Sequence, residues 1–342
     1  MKAMILNKIS SLKTNKYPLE LVDMPIPDVK NNEVLIKVSV CGVCHTELDE
    51  IEGRTSPPKL PVVLGHQAVG TVVKLGSEIV KLQIGDRVGV AWIFSACGKC
   101  KFCIEGNENL CNEFRATGRD VNGGYAEYMV APENYVHRIP GVFTDTEAAP
   151  LLCAGAIGYR SVKLAQLKDG QKLGLTGFGA SAHLVLKMVK HKYPNSSVYV
   201  FARKEEERKF AKELGAIWAG NTSDPSPEKL DSIIDTTPAW KPIVEAMSNL
   251  EKGGRLVINA IRKEEADKDY LQNLSYPDHL WLEKEIKSVA NVTGKDVSDF
   301  LELAAKISIK PKTLLYPLEE ANKALLELME KHIKGAKVLK IN

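Results

Sequence analysis

A chain of 342 residues gives, at roughly 150 residues per domain, an expectation of two domains, each able to bury its own core. Hydrophobic residues at 44% and charged residues at 26% exclude a disordered or fibrous chain. The 46 basic residues nearly balance the 43 acidic ones, with both signs interleaved, so the net charge of +3 offers no electrostatic case for nucleic acid.

The N-terminal stretch meets Asn7 and Lys8 before an apolar segment builds up, which argues against a secretory signal and sets a cytoplasmic location as the expectation. Residues 33–40 and 68–74 read as strands, the second closed by a Gly76-Ser77 turn, and Gly85-Asp86 turns into a further strand at Arg87. Short segments of this kind predict an antiparallel, turn-rich β domain whose long loops carry the cysteines. The longest apolar run, 148–159, is broken by Pro150 and two glycines and falls short of the roughly 20 residues a membrane span needs.

From about residue 155 the period changes. Strand patterns at 171–176, 197–202, 230–235, 255–261 and 286–290 alternate with helical ones at 180–192, 204–214 and 238–250. That alternation predicts a doubly wound parallel sheet with helices on both faces. Two helices, 297–307 and 318–333, then lead to a closing strand at 336–341, which is expected to return to the first domain. The fold expected is therefore α/β, with one domain formed by 1–154 and 292–342 and a second by 155–291.

All seven cysteines lie in the first half, an odd count whose clustering argues for metal rather than disulfides. Cys97-x2-Cys100-x2-Cys103-x7-Cys111 places four thiols within fifteen residues, close enough to converge on one tetrahedral ion. With every corner filled, such an ion fixes a loop and leaves no position for substrate, and Lys99 and Lys101 offset part of its thiolate charge. A nucleic-acid zinc ribbon would need a basic and aromatic stripe that the surrounding sequence lacks. Cys41 reads as a small buried apolar residue.

Gly177-Phe178-Gly179-x2-Ala182 follows a strand pattern and opens a helix pattern at Ala180, the context in which small residues let a pyrophosphate approach backbone N–H groups. At the tip of the next strand Ala202 stands where an acidic residue would bind the adenosine ribose of NAD. Arg203 and Lys204 follow it and suit a 2′-phosphate, so NADP(H) is expected over NAD(H).

Cys44-His45-Thr46-Glu47, Gly65-His66-Gln67-x2-Gly70, the four-cysteine loop with its lead-in 92–98, and Pro150-Leu151-Leu152-Cys153 occur in the order seen in zinc-dependent medium-chain alcohol dehydrogenases. The chain resembles that family from end to end. The resemblance implies a GroES-like antiparallel β catalytic domain joined to a Rossmann domain, and two zinc ions per chain. Cys44, His66 and Cys153 would hold the catalytic ion, which lowers the pKa of a bound alcohol so that hydride can leave to the nicotinamide. Cys97, Cys100, Cys103 and Cys111 would hold the structural one.

The same resemblance makes Thr46 the first proton carrier, and it brings His45 and Lys337 to the coenzyme pyrophosphate. Where many relatives continue the relay through a histidine, this chain has Asp49. Gln67 replaces a glutamate usual beside the ligand histidine, and Glu47 stands where an aspartate is usual, each placed to support a ligand from behind. Trp92 and Trp281 are candidate walls of an apolar pocket that the family places between its domains, which favours primary aliphatic or aromatic alcohols and their aldehydes. A polyol or sugar dehydrogenase on the same scaffold and a non-catalytic zinc- or nucleotide-binding protein are the alternatives. The family also implies a homodimer or homotetramer.

Overall fold

Residues 33–40 extend as a strand to Val43 because the alternation of buried aliphatics runs on through Cys41, and this eleven-residue strand is the spine of a seven-stranded sheet. The structure is a computed structural model that describes residues 1–330 and 335–342. Its chain divides into two compact units, Met1–Cys153 with Val292–Asn342, and Ala154–Asn291.

In the first unit the sheet order is Val136–Arg138, Arg87–Val90, Ala68–Leu75, Glu33–Val43, Ala336–Lys340 and Thr313–Pro317, with Tyr128–Pro132 also paired to the spine. Neighbours are antiparallel except the last two strands, which run parallel. The spine shifts register between Val38 and Val40, a bulge that adds local twist just before Cys44. A smaller sheet of Leu19–Asp23, Lys2–Leu6 and Val62–Val63 packs its apolar face, including Met4 and Leu6, into the same core as Ile36, Val38, Leu48 and Tyr125. The closing strand does return to this unit: Leu339 lies opposite Cys41 in antiparallel register.

The second unit is a six-stranded parallel sheet ordered Trp218–Gly220, Ser197–Phe201, Lys172–Thr176, Leu230–Asp235, Leu250–Ile258 and Glu285–Ser288. The order reverses between Lys172–Thr176 and Leu230–Asp235, and a crevice opens at the carboxyl ends of strands at such a point. Helix Ala180–Lys192 buries Ala182, Leu184, Val185, Leu186, Met188 and Val189, one apolar stripe at helical spacing.

Several elements differ from expectation. The helix read at 238–250 starts at Lys241, since Pro238 occupies the turn before it and the two backbone N–H groups of Trp240 and Lys241 bind the Asp267 carboxylate. The helix read at 318–333 begins as a tight turn, Leu318–Glu320, before Ala321–Met329, and residues 331–333 lie outside the described residues. Strand Thr313–Pro317 has no counterpart in the sequence reading. No helix among the described residues is long and apolar enough to cross a membrane.

Candidate functional site

Cys44 closes the spine strand in extended conformation and caps the helix His45–Ile51, its Sγ accepting from the Thr46 N–H at 3.4 Å. The Glu47 carboxylate turns back to accept from the Cys44 N–H at 2.8 Å through Oε2. Its other oxygen, Oε1, lies 2.6 Å from Nδ1 of His66, a short ion-pair contact off the line of an aligned hydrogen bond. Nε2 of His66 is thereby aimed at two sulfurs, 3.5 Å from Cys44 Sγ and 3.3 Å from Cys153 Sγ. Cys153 comes from the π-helical turn Leu151–Gly155, which follows the helix Asp145–Pro150.

The donor atoms of Cys44, His66 and Cys153 thus lie within 4.8 Å of one another, although 22 and 87 residues separate them in sequence. Without a cation this arrangement is costly. The Cys44 thiol is pushed well above its usual range, first by its hydrogen bond with Cys153 and then by burial and Glu47. A divalent ion reverses that preference by favouring thiolate, and two sulfurs with one imidazole are a donor set that zinc accepts.

The other candidates around this cluster are placed as follows. Thr46 is half-buried and His45 is exposed on the same helix. Asp49 is buried and its Oδ1 takes the Arg54 guanidinium at 2.6 Å. Gln67 is buried with its amide against Gly42, where a Cβ would lie only 2.6 Å from Gln67 Oε1. Trp92 is half-buried, 5.1 Å from the Phe114 ring and beneath the Arg119 guanidinium. Glu50, which the sequence reading passed over, is fully buried with neither carboxylate oxygen partnered. Burial and the neighbouring Glu47 hold its carboxyl well above the usual range. Its signal was the three-residue spacing from Glu47, which puts both acids on one helix face.

Cys97, Cys100, Cys103 and Cys111 form the second group whose ligand atoms lie within 4.8 Å of one another. Backbone N–H groups already serve these sulfurs: Cys100 N–H on Cys97 at 3.4 Å, Cys97 N–H and Glu113 N–H on Cys111 at 3.5 and 3.3 Å. The N–H groups of Lys99 and Cys100 pull the Cys97 thiol down to about 6. The loop is anchored to helix Gly294–Lys306 of the same unit by Glu108, whose Oε1 accepts from the Gly294 N–H at 2.8 Å.

In the second unit Gly177 takes a left-handed φ of +75°, its N–H donating to Phe201 at 2.8 Å, and Gly179 starts helix Ala180–Lys192 with no side-chain cap. Nothing would meet a Cβ at Gly179, so the helix starts beside open space. Phe178 is buried and meets the Phe210 ring edge-on at 5.9 Å. At the end of Ser197–Phe201, Ala202 is buried while Arg203 and Lys204 are exposed. Arg208, absent from the sequence reading, donates through Nη1 to the carbonyls of Ala202 and Arg203, both at 2.8 Å.

Two candidates stand elsewhere than a lone exposed cation or a pocket wall would. Lys337 has a fully buried side chain whose Nζ donates to Glu327 at 2.7 Å and to the Tyr316 hydroxyl at 2.5 Å. Trp281 is 54% exposed and its ring lies 5.7 Å from that of Tyr276.

Residues 30–141 match the alcohol dehydrogenase GroES-like domain. The chain is 39% identical over 329 residues to a probable alcohol dehydrogenase of Mycobacterium tuberculosis, AdhA, covering 95% of this chain and 93% of that one. It is 33% identical to an alcohol dehydrogenase of Geobacillus stearothermophilus over 100% of this chain and 99% of the other. A cinnamyl alcohol dehydrogenase structure from Sorghum bicolor superposes with a TM-score of 0.83 at 25% identity, over 99% of this chain and 97% of that one.

Proposed function

Since the chain belongs to the zinc-dependent medium-chain alcohol dehydrogenases, we propose that it interconverts primary aliphatic or aromatic alcohols with their aldehydes by hydride exchange with NADP(H). The observation that carries this reading is the convergence of Cys44, His66 and Cys153. Cys44, His66 and Cys153 would hold Zn²⁺ with its charge cancelled by two thiolates and none added by the imidazole, a three-residue donor set that would leave the ion open to a substrate oxygen. When bound there, zinc supplies Lewis acidity toward that oxygen.

Each oxidation converts one alcohol and one NADP⁺ to one carbonyl, one NADPH and one proton. Thr46, with a hydroxyl that both accepts and donates, takes the proton from the alcohol, and Asp49 with its Arg54 partner lies next along the helix. Glu47 fixes the His66 ring with Nε2 toward the sulfurs, while buried Gln67 backs the same stretch without adding charge. Cys97, Cys100, Cys103 and Cys111 would hold a second, structural zinc. The half-buried Trp92 ring suits an apolar substrate, whereas Trp281, 54% exposed, is not assigned to the pocket.

In the second unit the pyrophosphate site is the turn Gly177, Phe178 and Gly179 with the N–H groups from Ala180 onward; in the first, His45 is an exposed cation candidate, whereas the buried Lys337 ammonium is already engaged by Glu327 and Tyr316. Ala202 offers no carboxylate to the adenosine ribose, and Arg203 and Lys204, on a turn braced by Arg208, favour a 2′-phosphate. We assign the protein to the cytoplasm as a homodimer or homotetramer.

Zinc stoichiometry and a coenzyme-absorbance assay across alcohols, aldehydes, polyols and sugars test the reading. Two zinc ions per chain with turnover of simple alcohols support it. Turnover confined to polyols would replace the substrate class, and metal at both sites without turnover of any substrate would overturn the enzyme.

A further inference from the structure

The second unit holds a buried ion pair that none of the chemistry above uses. Asp235 ends strand Leu230–Asp235 with no exposure, and the Lys263 side chain, 7% exposed, pairs with its Oδ2. The remaining capacity of both groups is filled. Asp235 Oδ1 accepts from the Thr176 hydroxyl at 2.5 Å and the Thr237 hydroxyl at 2.8 Å. Lys263 Nζ donates to the carbonyls of Thr237 at 2.7 Å and Ala239 at 3.2 Å.

These contacts join three chain segments at one point: the end of Lys172–Thr176, the end of Leu230–Asp235 with the loop 236–240, and the segment after Leu250–Ile258. Two further ties hold the same loop, Glu264 N–H on Pro238 at 2.7 Å and the Asp267 carboxylate on the N–H groups of Trp240 and Lys241. The loop lies directly against the dinucleotide turn. A Cβ on Gly177 would meet Thr237 Cγ2 at 2.9 Å and Thr236 Oγ1 at 3.0 Å, and the Thr236 hydroxyl donates to Thr176 at 3.0 Å.

We propose that Asp235 and Lys263 are positioning residues for the coenzyme: their buried pair clamps loop 236–240 behind Gly177 and so sets the shape of the crevice where the strand order reverses. A fully satisfied network of this kind has one low-energy arrangement, and removal of the ammonium frees two loop carbonyls at once. Because the pair is neutral overall and lies behind the turn, it contributes equally to NADH and NADPH. The inference rests on the reading of this unit as the coenzyme-binding one.

The test is a fluorescence titration of NADH and of NADPH into wild-type protein, Lys263→Met, and the paired variant Asp235→Asn with Lys263→Met. The paired variant removes both charges, so no lone buried charge threatens the fold. The expected result is a rise in Kd of about tenfold for each coenzyme, with the ratio between them unchanged, the scale of losing one hydrogen bond to a charged group. A variant that unfolds at lower temperature yet keeps both Kd values would overturn the inference, leaving the pair a stabilising element only. A wild-type protein that binds neither coenzyme would overturn the underlying reading along with it.

Discussion

Glu47 Oε1 stands 2.6 Å from His66 Nδ1, and both side chains are closed to solvent, so a buried carboxylate sits directly behind the imidazole and holds its tilt. Glu47→Gln keeps the size and loses the charge. Metal affinity at Cys44, His66 and Cys153 should fall roughly 10- to 100-fold, the usual cost of losing a group that orients a histidine ligand. Competition with a chromophoric chelator measures this, and the four-cysteine zinc serves as the internal reference.

The proposed NADP(H) preference rests on the turn after Ser197–Phe201. Arg203→Ala with Lys204→Ala should raise the NADPH KM by about tenfold, since two solvent-exposed charge contacts together are worth about 1–2 kcal/mol, and should leave the NADH KM within about twofold. Steady-state kinetics with both coenzymes decides it. A wild-type enzyme with equal or NAD-favouring kcat/KM would refute the preference itself.

Metal loss at the four-cysteine loop has a separate signature. On the proposed count of two zinc ions per chain, Cys100→Ser should leave one and lower the Tm, because the loop it loosens is tied through Glu108 to the first turn of Gly294–Lys306. Metal analysis alongside thermal unfolding reads both changes.

His137 supplies a pH dependence. Burial lowers its ring from the usual 6.5 to about 4, and its Nδ1 lies 2.8 Å from the Ser298 hydroxyl. The folded protein therefore keeps the ring neutral between these values while the unfolded chain takes up a proton. Its share of stability is complete above pH 6.5 and is lost as pH falls toward 4, about 2 kcal/mol by pH 5. Urea titrations at pH 7 and pH 5 should show that slope, and His137→Asn should lose this part of it.

Gly65 precedes His66 with a φ of +95°, and a Cβ there would lie 2.4 Å from Tyr125 Cδ1 and 2.9 Å from Cys41 Sγ. Gly65→Ala should cost about 3 kcal/mol through backbone strain and overpacking together, with zinc content reduced because the ligand histidine must move. Denaturant unfolding and metal analysis check the pair of effects.

Local pattern made much of this readable. Helix Ala180–Lys192 and strand Leu230–Asp235 have the bounds read from the sequence, because one shows a clean apolar stripe and the other a short run centred on Ile233 and Ile234. Thr313–Pro317 escaped because Leu314 and Leu315 are both exposed, 43% and 56%, so no alternation marks it. The gathering of Cys44, His66 and Cys153 came from resemblance, since spacing alone cannot join positions so far apart. Arg208, the Glu327 partner of Lys337 and the Asp235–Lys263 pair were invisible for a related reason: each depends on which carbonyl or acid the fold brings alongside.

The strand Ala336–Lys340 is wedged between Glu33–Val43 and Thr313–Pro317, so the cysteine-bearing unit seals its main sheet with residues translated after the whole of Ala154–Asn291. On the ribosome the parallel-sheet unit, contiguous in the chain, is complete and able to fold while the other still waits for its last strand. Nascent chains thus emerge with the main sheet of the cysteine-rich half unsealed until that strand is made.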